Sequence, residues 1–263
     1  MKKLIAILLA LLAIATMCVS CSKKQEEDDS WKDSYMQDDN ENIDHEQVND
    51  ETFYFEAVDS ESVAITGYQG SDVPHTLNIP ATLNGKKVVE IADQAFYYCS
   101  KINAISFSAN VTKIGEDAFA GCALITEITL PATITSVGER AFYGCTGLTT
   151  LNFAEGFTAT IGEAAFMDCI ALTAVTIPGT VKIVETGAFF GCTALTTVTV
   201  AEGVEFIGSQ SFQGCTALTT ITLPASVGVI GFAAFEGCEE TLTSATAPAG
   251  SVADAYIKQY LTK

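Results

Sequence analysis

The sequence predicts a stacked solenoid of the α/β class, in which short parallel strands and brief helical turns alternate over about seven repeats. The main observation is a Phe followed three residues later by a Cys, which occurs seven times along the 263 residues. Successive copies are 23 residues apart, with a single step of 24. A fixed period of this length is typical of repeats that cover one another's apolar faces. The copies are Phe96/Cys99, Phe119/Cys122, Phe142/Cys145, Phe166/Cys169, Phe189/Cys192, Phe212/Cys215 and Phe235/Cys238.

Each repeat also carries an apolar frame that predicts a strand. In one unit Leu218, Ile221 and Leu223 form the pattern L-x-x-I-x-L, whose last part alternates between inward and outward positions. A second short apolar stretch ends at Ile230 and is followed by Gly231, which indicates a tight bend or a close approach of two backbones. The small residues that follow lead to the next Phe and are predicted to form one helical turn.

This unit resembles the BspA-like subclass of the bacterial leucine-rich repeats, whose consensus is close to L-x-x-I-x-L-P-x-x-V-x-x-I-G-x-x-A-F-x-x-C. The resemblance covers about residues 62 to 250 and includes the Cys. The resemblance implies a right-handed solenoid that is displayed on the cell surface and recognises a partner. One departure is the unit from Phe153 to Ile161, which has one extra residue and predicts a local bulge.

The N-terminus has the pattern of a secretory signal. Lys2 and Lys3 precede an apolar run that is too short to span a bilayer, so residues 1–20 are predicted to be a lipoprotein signal peptide. The segment from Cys18 to Cys21 resembles a bacterial lipobox, in which Cys21 would be lipidated. The resemblance implies a membrane anchor without a spanning helix, in the outer membrane and facing the cell surface of a diderm bacterium. A plain secretory signal is the alternative.

Charge and composition divide the rest of the chain. Residues 21–51 are predicted to be an acidic, disordered tether, because 22–61 hold 15 Asp/Glu against 3 Lys and little apolar content. Residues 52–90 read as an N-terminal cap and first half-repeat, 91–247 as the leucine-rich repeat solenoid, and 248–263 as a C-terminal capping helix. The net charge of −19 argues against nucleic acid as a partner.

The seven repeat cysteines permit two interpretations. Secretion allows disulfides, and equivalent residues in stacked turns lie about 4.8 Å apart. However, parallel side chains face one another poorly, so we expect a column of buried thiols that bond weakly to backbone carbonyls. Apart from the lipobox segment Cys18 to Cys21, the sequence has no C-x-x-C, and it has no Cys/His cluster, so no metal or other cofactor is predicted.

The search for catalytic groups predicts no enzyme. The two His, His45 and His75, have no nucleophile beside them, and Glu127 stands alone among the outward strand positions. Glu155 and Glu202 follow their strands two units apart. The acidic run from Asp38 to Asn49 resembles a calcium loop only weakly, because Ile43 takes the place of the required Gly.

Two surfaces are candidates for binding. The outward strand positions carry hydroxyls, either because Thr suits exposed strands or because they contact a glycan or an extended peptide. The second surface is the residue after each repeated Phe, which is often aromatic and could anchor a partner or pack between turns. The candidate binding residues are Tyr97, Tyr143, Met167, Phe190, Thr150, Thr176, Thr197, Thr199, Thr220 and Thr222.

The resemblance implies a non-catalytic surface lipoprotein that mediates adhesion, with a host matrix or bacterial surface protein as its ligand. The alternative is an accessory lipoprotein that captures glycans or peptides for an outer-membrane nutrient-uptake system. An enzyme would need a carboxylate pair or a Cys/His cluster that the sequence lacks.

Overall fold

A computed structural model describes residues 52–69 and 73–261 of the chain. The predicted lipidation site Cys21, the acidic tether and the weak calcium-loop pattern lie outside these residues. Within them the chain is a solenoid of about eight turns, built from parallel strands with little helix. The predicted solenoid fold is therefore confirmed. No helix in the described part is both long enough and apolar enough to cross a membrane.

The largest sheet has eight strands, one from each turn. All of its strand pairs are parallel, and most partners are 23 residues apart in sequence. The order β3-β6-β8-β10-β11-β13-β15-β17 follows the chain, as a solenoid requires. Its strands are β3 (Thr76–Asn78), β6 (Ala104–Ser106), β8 (Glu127–Leu130), β10 (Thr150–Phe153), β11 (Ala174–Ile177), β13 (Thr197–Val200), β15 (Thr220–Thr222) and β17 (Ser244–Thr246).

A second flank of the solenoid carries two smaller sheets. A six-stranded sheet begins with an antiparallel hairpin and continues with a six-residue strand, which pairs in parallel with the hairpin and antiparallel with a short strand before it. Two parallel two-residue strands end this sheet, and a three-stranded parallel sheet follows it. The six strands are β1 (Phe53–Ala57), β2 (Ser62–Tyr68), β4 (Thr82–Leu83), β5 (Lys86–Ile91), β7 (Lys113–Ile114) and β9 (Ser136–Val137). The three strands are β12 (Ile183–Val184), β14 (Phe206–Ile207) and β16 (Val229–Ile230).

The two smaller sheets meet at the 24-residue unit. Single bridges from Ser136 to Thr160 and from Ile161 to Val184 are all that joins them. The shift from Val137 to Ile161 is 24 residues, whereas the preceding strand pair, Ile128 with Leu151, is shifted by 23. The extra residue therefore lies between Phe153 and Thr160, and it interrupts the second flank without breaking the stack.

The core is a stack of the repeated phenylalanines. All seven rings are buried, and neighbouring rings are nearly parallel, with centroids 5.1 to 5.4 Å apart and interplanar angles of 3 to 10°. The 24-residue step, from Phe142 to Phe166, keeps the same 5.3 Å spacing. Burial of each ring removes apolar surface from water and contributes about 2–3 kcal/mol.

The segment that contains each Phe is a hydrogen-bonded turn, and the predicted helical turn is absent. Its amides alternate: Phe119 and Gly121 donate to carbonyls of the next turn, whereas Ala120 donates to Asp117 within its own turn. Asp117 has φ of 52° and Gly121 has φ of 73°. With these left-handed residues at its two ends, the segment directs every second amide toward the next turn of the solenoid. A helix cannot do this, because its amides bond to carbonyls within the helix.

The glycines after the second strands are required by close backbone contact. A Cβ on Gly208 would lie 2.5 Å from the carbonyl carbon of Glu185, and one on Gly138 would lie 2.6 Å from that of Gly115. Of the two interpretations of these glycines, close approach is the correct one, because Gly208 and Gly138 are not among the positive-φ residues.

A short helix, α1 (Val252–Tyr256), continues as a π-helical turn (Ile257–Leu261) after the last strand. Ser251 begins it, accepting a hydrogen bond from the Asp254 amide, while the Asp254 carboxylate accepts one from the Gly250 amide. Ile257 is buried, and the Tyr256 ring lies 6.1 Å from that of Phe235, the last ring of the stack. That this segment acts as a cap stays a prediction, which is tested below.

Candidate functional site: the strand face

The strand face is the set of outward side chains of the eight-stranded sheet. Pairing in register aligns them into columns, because Thr150 pairs with Glu127 on one side and with Ala174 on the other. Thr197 pairs with both Ala174 and Thr220 in the same way. The register thus aligns most of these hydroxyls along the sheet. The neighbouring column contains Ser106, Thr129, Asn152, Thr176, Thr199 and Thr222.

The hydroxyls of these two columns are mostly available to a ligand. The candidate binding threonines of the strand face make one side-chain hydrogen bond within the described residues, a 3.4 Å contact between the hydroxyls of Thr222 and Thr246. Asn152 donates its amide to the Glu127 carboxylate over 3.1 Å. The face is therefore a neutral donor and acceptor surface with one carboxylate.

A third column of threonines has a structural role that sequence reasoning missed. The Thr149 hydroxyl donates to the Thr126 carbonyl over 3.0 Å, and Thr196 and Thr219 repeat this bond with the turn before. These hydroxyls donate hydrogen bonds to backbone carbonyls just before the strands, so they are engaged within the solenoid. The recurrence of Thr at this position every 23 or 24 residues was the signal that could have revealed the column.

A groove of about 390 Å³ opens on the strand face between β10 and β11. These two strands pair only at Thr150 with Ala174, whereas β8 with β10 and β11 with β13 each pair at four positions. The physical reason lies at the end of the strands. Ala154 and Ala201 each donate their amide to the turn before, over 2.9 and 3.0 Å, but the equivalent residue of β11 is Pro178, which has no N–H.

The groove is lined by polar and apolar groups together. Hydroxyls and the amide of Asn152 form its rim, and the half-buried ring of Phe153 and the ring of Pro178 contribute apolar surface. A shallower concavity of about 330 Å³ lies at Pro224, which follows β15 and also lacks an N–H. The lining residues are Thr149, Thr150, Leu151, Asn152, Phe153, Thr173, Ala174, Val175, Thr176 and Pro178.

The carboxylates considered as catalytic groups do not converge. Glu202 accepts a hydrogen bond from the Ala225 amide over 3.1 Å, so it braces the next turn. Nδ1 of the exposed His75 lies 3.1 Å from the Lys101 carbonyl. In residues 52–69 and 73–261, no group of three or more His, Cys, Asp or Glu could hold a metal ion.

The aromatic column after the repeated Phe is half-buried. Tyr97 packs edge-on against Tyr98, with ring centroids 4.6 Å apart. Tyr143 hydrogen-bonds Asp168, and burial raises the pKa of the Asp168 carboxyl while this bond partly lowers it. Met167 and Phe190 are also half-buried. These contacts favour packing between turns over the display of anchors, so the strand face is the stronger candidate for a binding surface.

Six of the repeat cysteines are buried free thiols, as the sequence favours. Each donates to the carbonyl of the Phe one turn earlier, for example Cys122 to Phe96 over 3.1 Å and Cys192 to Phe166 over 3.3 Å. Burial raises the pKa of the Cys122 thiol to about 12, so it stays protonated and unreactive at neutral pH. The seventh, Cys99, is buried as well.

Comparison with solved structures places the chain among bacterial leucine-rich repeat proteins. It aligns with a leucine rich cell surface protein from Faecalibacterium prausnitzii at 29% identity and a TM-score of 0.64, over 77% of this chain and 55% of that one. A leucine-rich repeat protein from Eubacterium ventriosum aligns at 28% identity and a TM-score of 0.62, over 71% and 48%. The chain thus spans about half the length of these two relatives.

A leucine rich repeat protein from T. pallidum aligns at 26% identity and a TM-score of 0.57, over 76% of this chain and 83% of that one. No curated protein matches the chain significantly. The family description "BspA type Leucine rich repeat region" matches residues 76–192 and 159–254 in six copies, which together cover more than half of the 263 residues. The chain therefore belongs to the BspA type leucine-rich repeat family.

Proposed function

We propose that the protein is a non-catalytic binding protein of the bacterial cell surface that recognises another protein through its strand face. The observation that carries this proposal is the in-register array of outward hydroxyls on both sides of a groove in the sheet. Surface display is supported by the cell surface protein among its structural relatives. Leucine-rich repeat proteins present extended surfaces of this kind to their partners.

The groove between β10 and β11 is the proposed centre of contact. It interrupts an otherwise regular sheet, so it offers a concave site where a side chain of a partner can be surrounded. Hydroxyls and one amide orient that side chain by hydrogen bonds, and Phe153 gives it an apolar contact. Adhesion to a host matrix protein or to a surface protein of another bacterium is the function that we propose for this site.

The proposal is tested with residues 22–263 on arrays of matrix proteins and glycans. Saturable binding to a protein is expected, and Thr176→Arg, which fills the groove, should weaken it at least about tenfold. Ser136→Arg is the matched control, because it adds the same side chain to an exposed strand position on the other flank. Protein binding that survives Thr176→Arg would refute the strand face as the site.

The same groove supports a second candidate, the capture of glycans for nutrient uptake. Neutral hydroxyl and amide groups beside an aromatic ring are the groups that a sugar can contact by hydrogen bonds and stacking. Binding to small glycans alone on the arrays, with Thr176→Arg abolishing it, would replace adhesion by this function.

We also propose that Cys21 carries an acyl anchor that holds the protein on the outer membrane. Two acyl chains suffice for stable anchoring. Detergent phase partitioning should place the full chain in the detergent phase and Cys21→Ser in the aqueous phase. Protease treatment of intact cells should remove the solenoid if it faces outward, and full protection would contradict surface display.

A further inference from the structure

A column of outward residues on the second flank changes character along the solenoid. It is the residue before each apolar residue that closes the second strand of a turn. Its first three members are polar and its last three are apolar: Lys113, Ser136, Thr160, Ile183, Phe206 and Val229. The pairing of β12, β14 and β16 holds the last three in register, so they form a ladder across three neighbouring strands about 4.8 Å apart.

Phe232 extends this ladder on the last turn. Its side chain is 84% exposed, and that of Val229, three residues earlier, is 49% exposed. The equivalent position in every earlier turn is polar: Asp93, Glu116, Glu139, Glu163, Thr186 and Ser209. A polar residue therefore suits this position, and the repeat does not require an aromatic ring there. We call Ile183, Phe206, Val229 and Phe232 the C-terminal apolar patch.

The segment after the last strand leaves this patch uncovered. Its inward side chains, Ala253, Ile257 and Leu261, are buried, and Tyr256 packs toward the ring of Phe235. Val252, at the start of α1, is itself 50% exposed. The helix also lies against β16, but it leaves the side chains of Val229 and Phe232 largely exposed. Exposed apolar patches of this kind mark interaction sites.

The charges around the patch indicate what kind of partner fits it. Between residues 141 and 261 the basic residues are Lys182 and Lys258, against ten Asp and Glu, and Lys258 is itself ion-paired. The Lys182 ammonium pairs with the Glu205 carboxylate at 3.1 Å and donates to the Gly203 carbonyl over 3.0 Å, so its charge is offset. Glu205 directly precedes Phe206, and Glu185 follows β12. The repeats that carry the apolar ladder are therefore strongly acidic overall.

A second copy of this chain is a poor occupant, because pairing two such patches would bring two strongly acidic repeat regions together. A cationic partner is attracted instead. We propose that the C-terminal apolar patch docks a segment of another protein in which aliphatic or aromatic residues alternate with Lys or Arg. This interface lies on a different sheet from the strand face and is independent of the proposed adhesion site.

The test uses two synthetic ten-residue peptides, one that alternates Lys with Leu or Phe and one in which Glu replaces Lys. Binding is measured by fluorescence anisotropy at low and moderate salt. We expect the Lys peptide to bind at least about tenfold more tightly than the Glu peptide, with weaker binding as salt rises. Equal binding of both peptides would overturn the charge argument.

The chain itself supplies polar replacements for the patch. Phe232→Ser and Val229→Ser introduce the residues that Ser209 and Ser136 provide in earlier turns, so the variants should fold, which circular dichroism checks. Together the two substitutions should lower the affinity for the Lys peptide at least about tenfold. Ile170→Thr is the matched control, because Ile170 is 45% exposed outside the patch and Thr146 occupies the same repeat position.

Two results would contradict the proposal. The first is an unchanged affinity of the Lys peptide in the double Ser variant, which would mean that the acidic surface binds it anywhere. The second is a concentration-dependent dimer in sedimentation that the double Ser variant abolishes, which would make a second copy the occupant. Neither result depends on the strand face, so the adhesion proposal stands or falls separately.

Discussion

Replacing Phe166 by Ala tests the phenylalanine stack at its centre. Its ring is fully buried and lies between Phe142 at 5.3 Å and Phe189 at 5.4 Å, nearly parallel to both. The substitution removes a ring from this stack and leaves a gap that both neighbours line. Because each turn is stabilised mainly by the turns beside it, the damage should spread to the adjacent repeats.

The expected cost follows from two contributions. Loss of the buried ring forfeits about 2–3 kcal/mol of transfer free energy. A cavity of about 100 Å³ costs about 24 cal/mol per Å³, or about 2 kcal/mol more, if the turns do not collapse into it. The sum, about 4–5 kcal/mol, is at the upper end of the range for Phe→Ala in protein cores and is a large part of the stability of an ordinary domain.

Urea denaturation followed by far-ultraviolet circular dichroism measures this free energy of unfolding. Circular dichroism is the more direct probe, because the only Trp, Trp31, precedes the repeats in the sequence. Phe232→Ala is the matched control, since it makes the same chemical change at a side chain that is 84% exposed and should stay within about 0.5 kcal/mol of the parent. A cost below about 1 kcal/mol for Phe166→Ala, or equal costs for both variants, would refute the continuous stack.

Three further predictions concern the glycines, the thiols and the last segment. Gly208→Ala should destabilise the protein by about 1–3 kcal/mol in the same urea assay, because the new Cβ would lie 2.5 Å from backbone atoms of the turn before. Gly228→Ala is the control and should be neutral or slightly stabilising, because the atom nearest to its Cβ would be 3.9 Å away. Equal effects of the two substitutions would contradict the close approach of the backbones at Gly208. The buried thiols should not react with a thiol reagent at pH 8 until urea is added. Folding raises the pKa of Cys122 from 9.0 to about 12, so the stability that this thiol contributes is complete below pH 9. As the pH rises toward 12, the free energy of unfolding should fall by about 1.4 kcal/mol per pH unit for each such thiol. A free energy of unfolding that does not fall between pH 9 and 11 would contradict the burial of these thiols. Deletion of 248–263 should uncover Phe235, lower the urea midpoint and increase the binding of an apolar dye, and an unchanged midpoint would show that the segment is not a cap.

The sequence predicted whatever depends on the repeat period alone. Phe and Cys recur at a constant spacing, so their stacking follows once adjacent turns are superposed, and so does the alignment of Thr197 with Thr220. The position of the extra residue also followed from spacing. These features need no knowledge of how one turn is hydrogen-bonded to the next.

Features that depend on individual hydrogen bonds were missed. The turns before each Phe are left-handed at one position per repeat, but residues such as Asp117 and Arg140 occupy that position, with φ of 52° for both. Glycine is the usual sign of such a conformation, and among the seven repeats only Gly187 shows it at this position, so the sequence suggested a helix instead. The amides that bond to the next turn hold these residues in place, and no local pattern reports them.

The strand-face groove shows how a single missing N–H can shape a surface. Pro131, Pro178 and Pro224 each follow a strand of the eight-stranded sheet. The strands before these prolines pair with the strand of the turn before at one to three positions, whereas the strands before Ala154 and Ala201 do so at four. Each Pro removes a donor that would close the gap to the turn before.

Pro178→Ala should therefore restore the bond to the carbonyl at the end of β10 and narrow the groove. The new amide at position 178 should be protected from hydrogen exchange to the same degree as that of Ala201, which makes the equivalent bond over 3.0 Å. Binding through the groove should weaken at the same time, while Pro131→Ala, two turns away, should leave it unchanged. A protected amide at position 178 with undiminished binding would separate the groove from function and move the contact to the flat hydroxyl columns on either side.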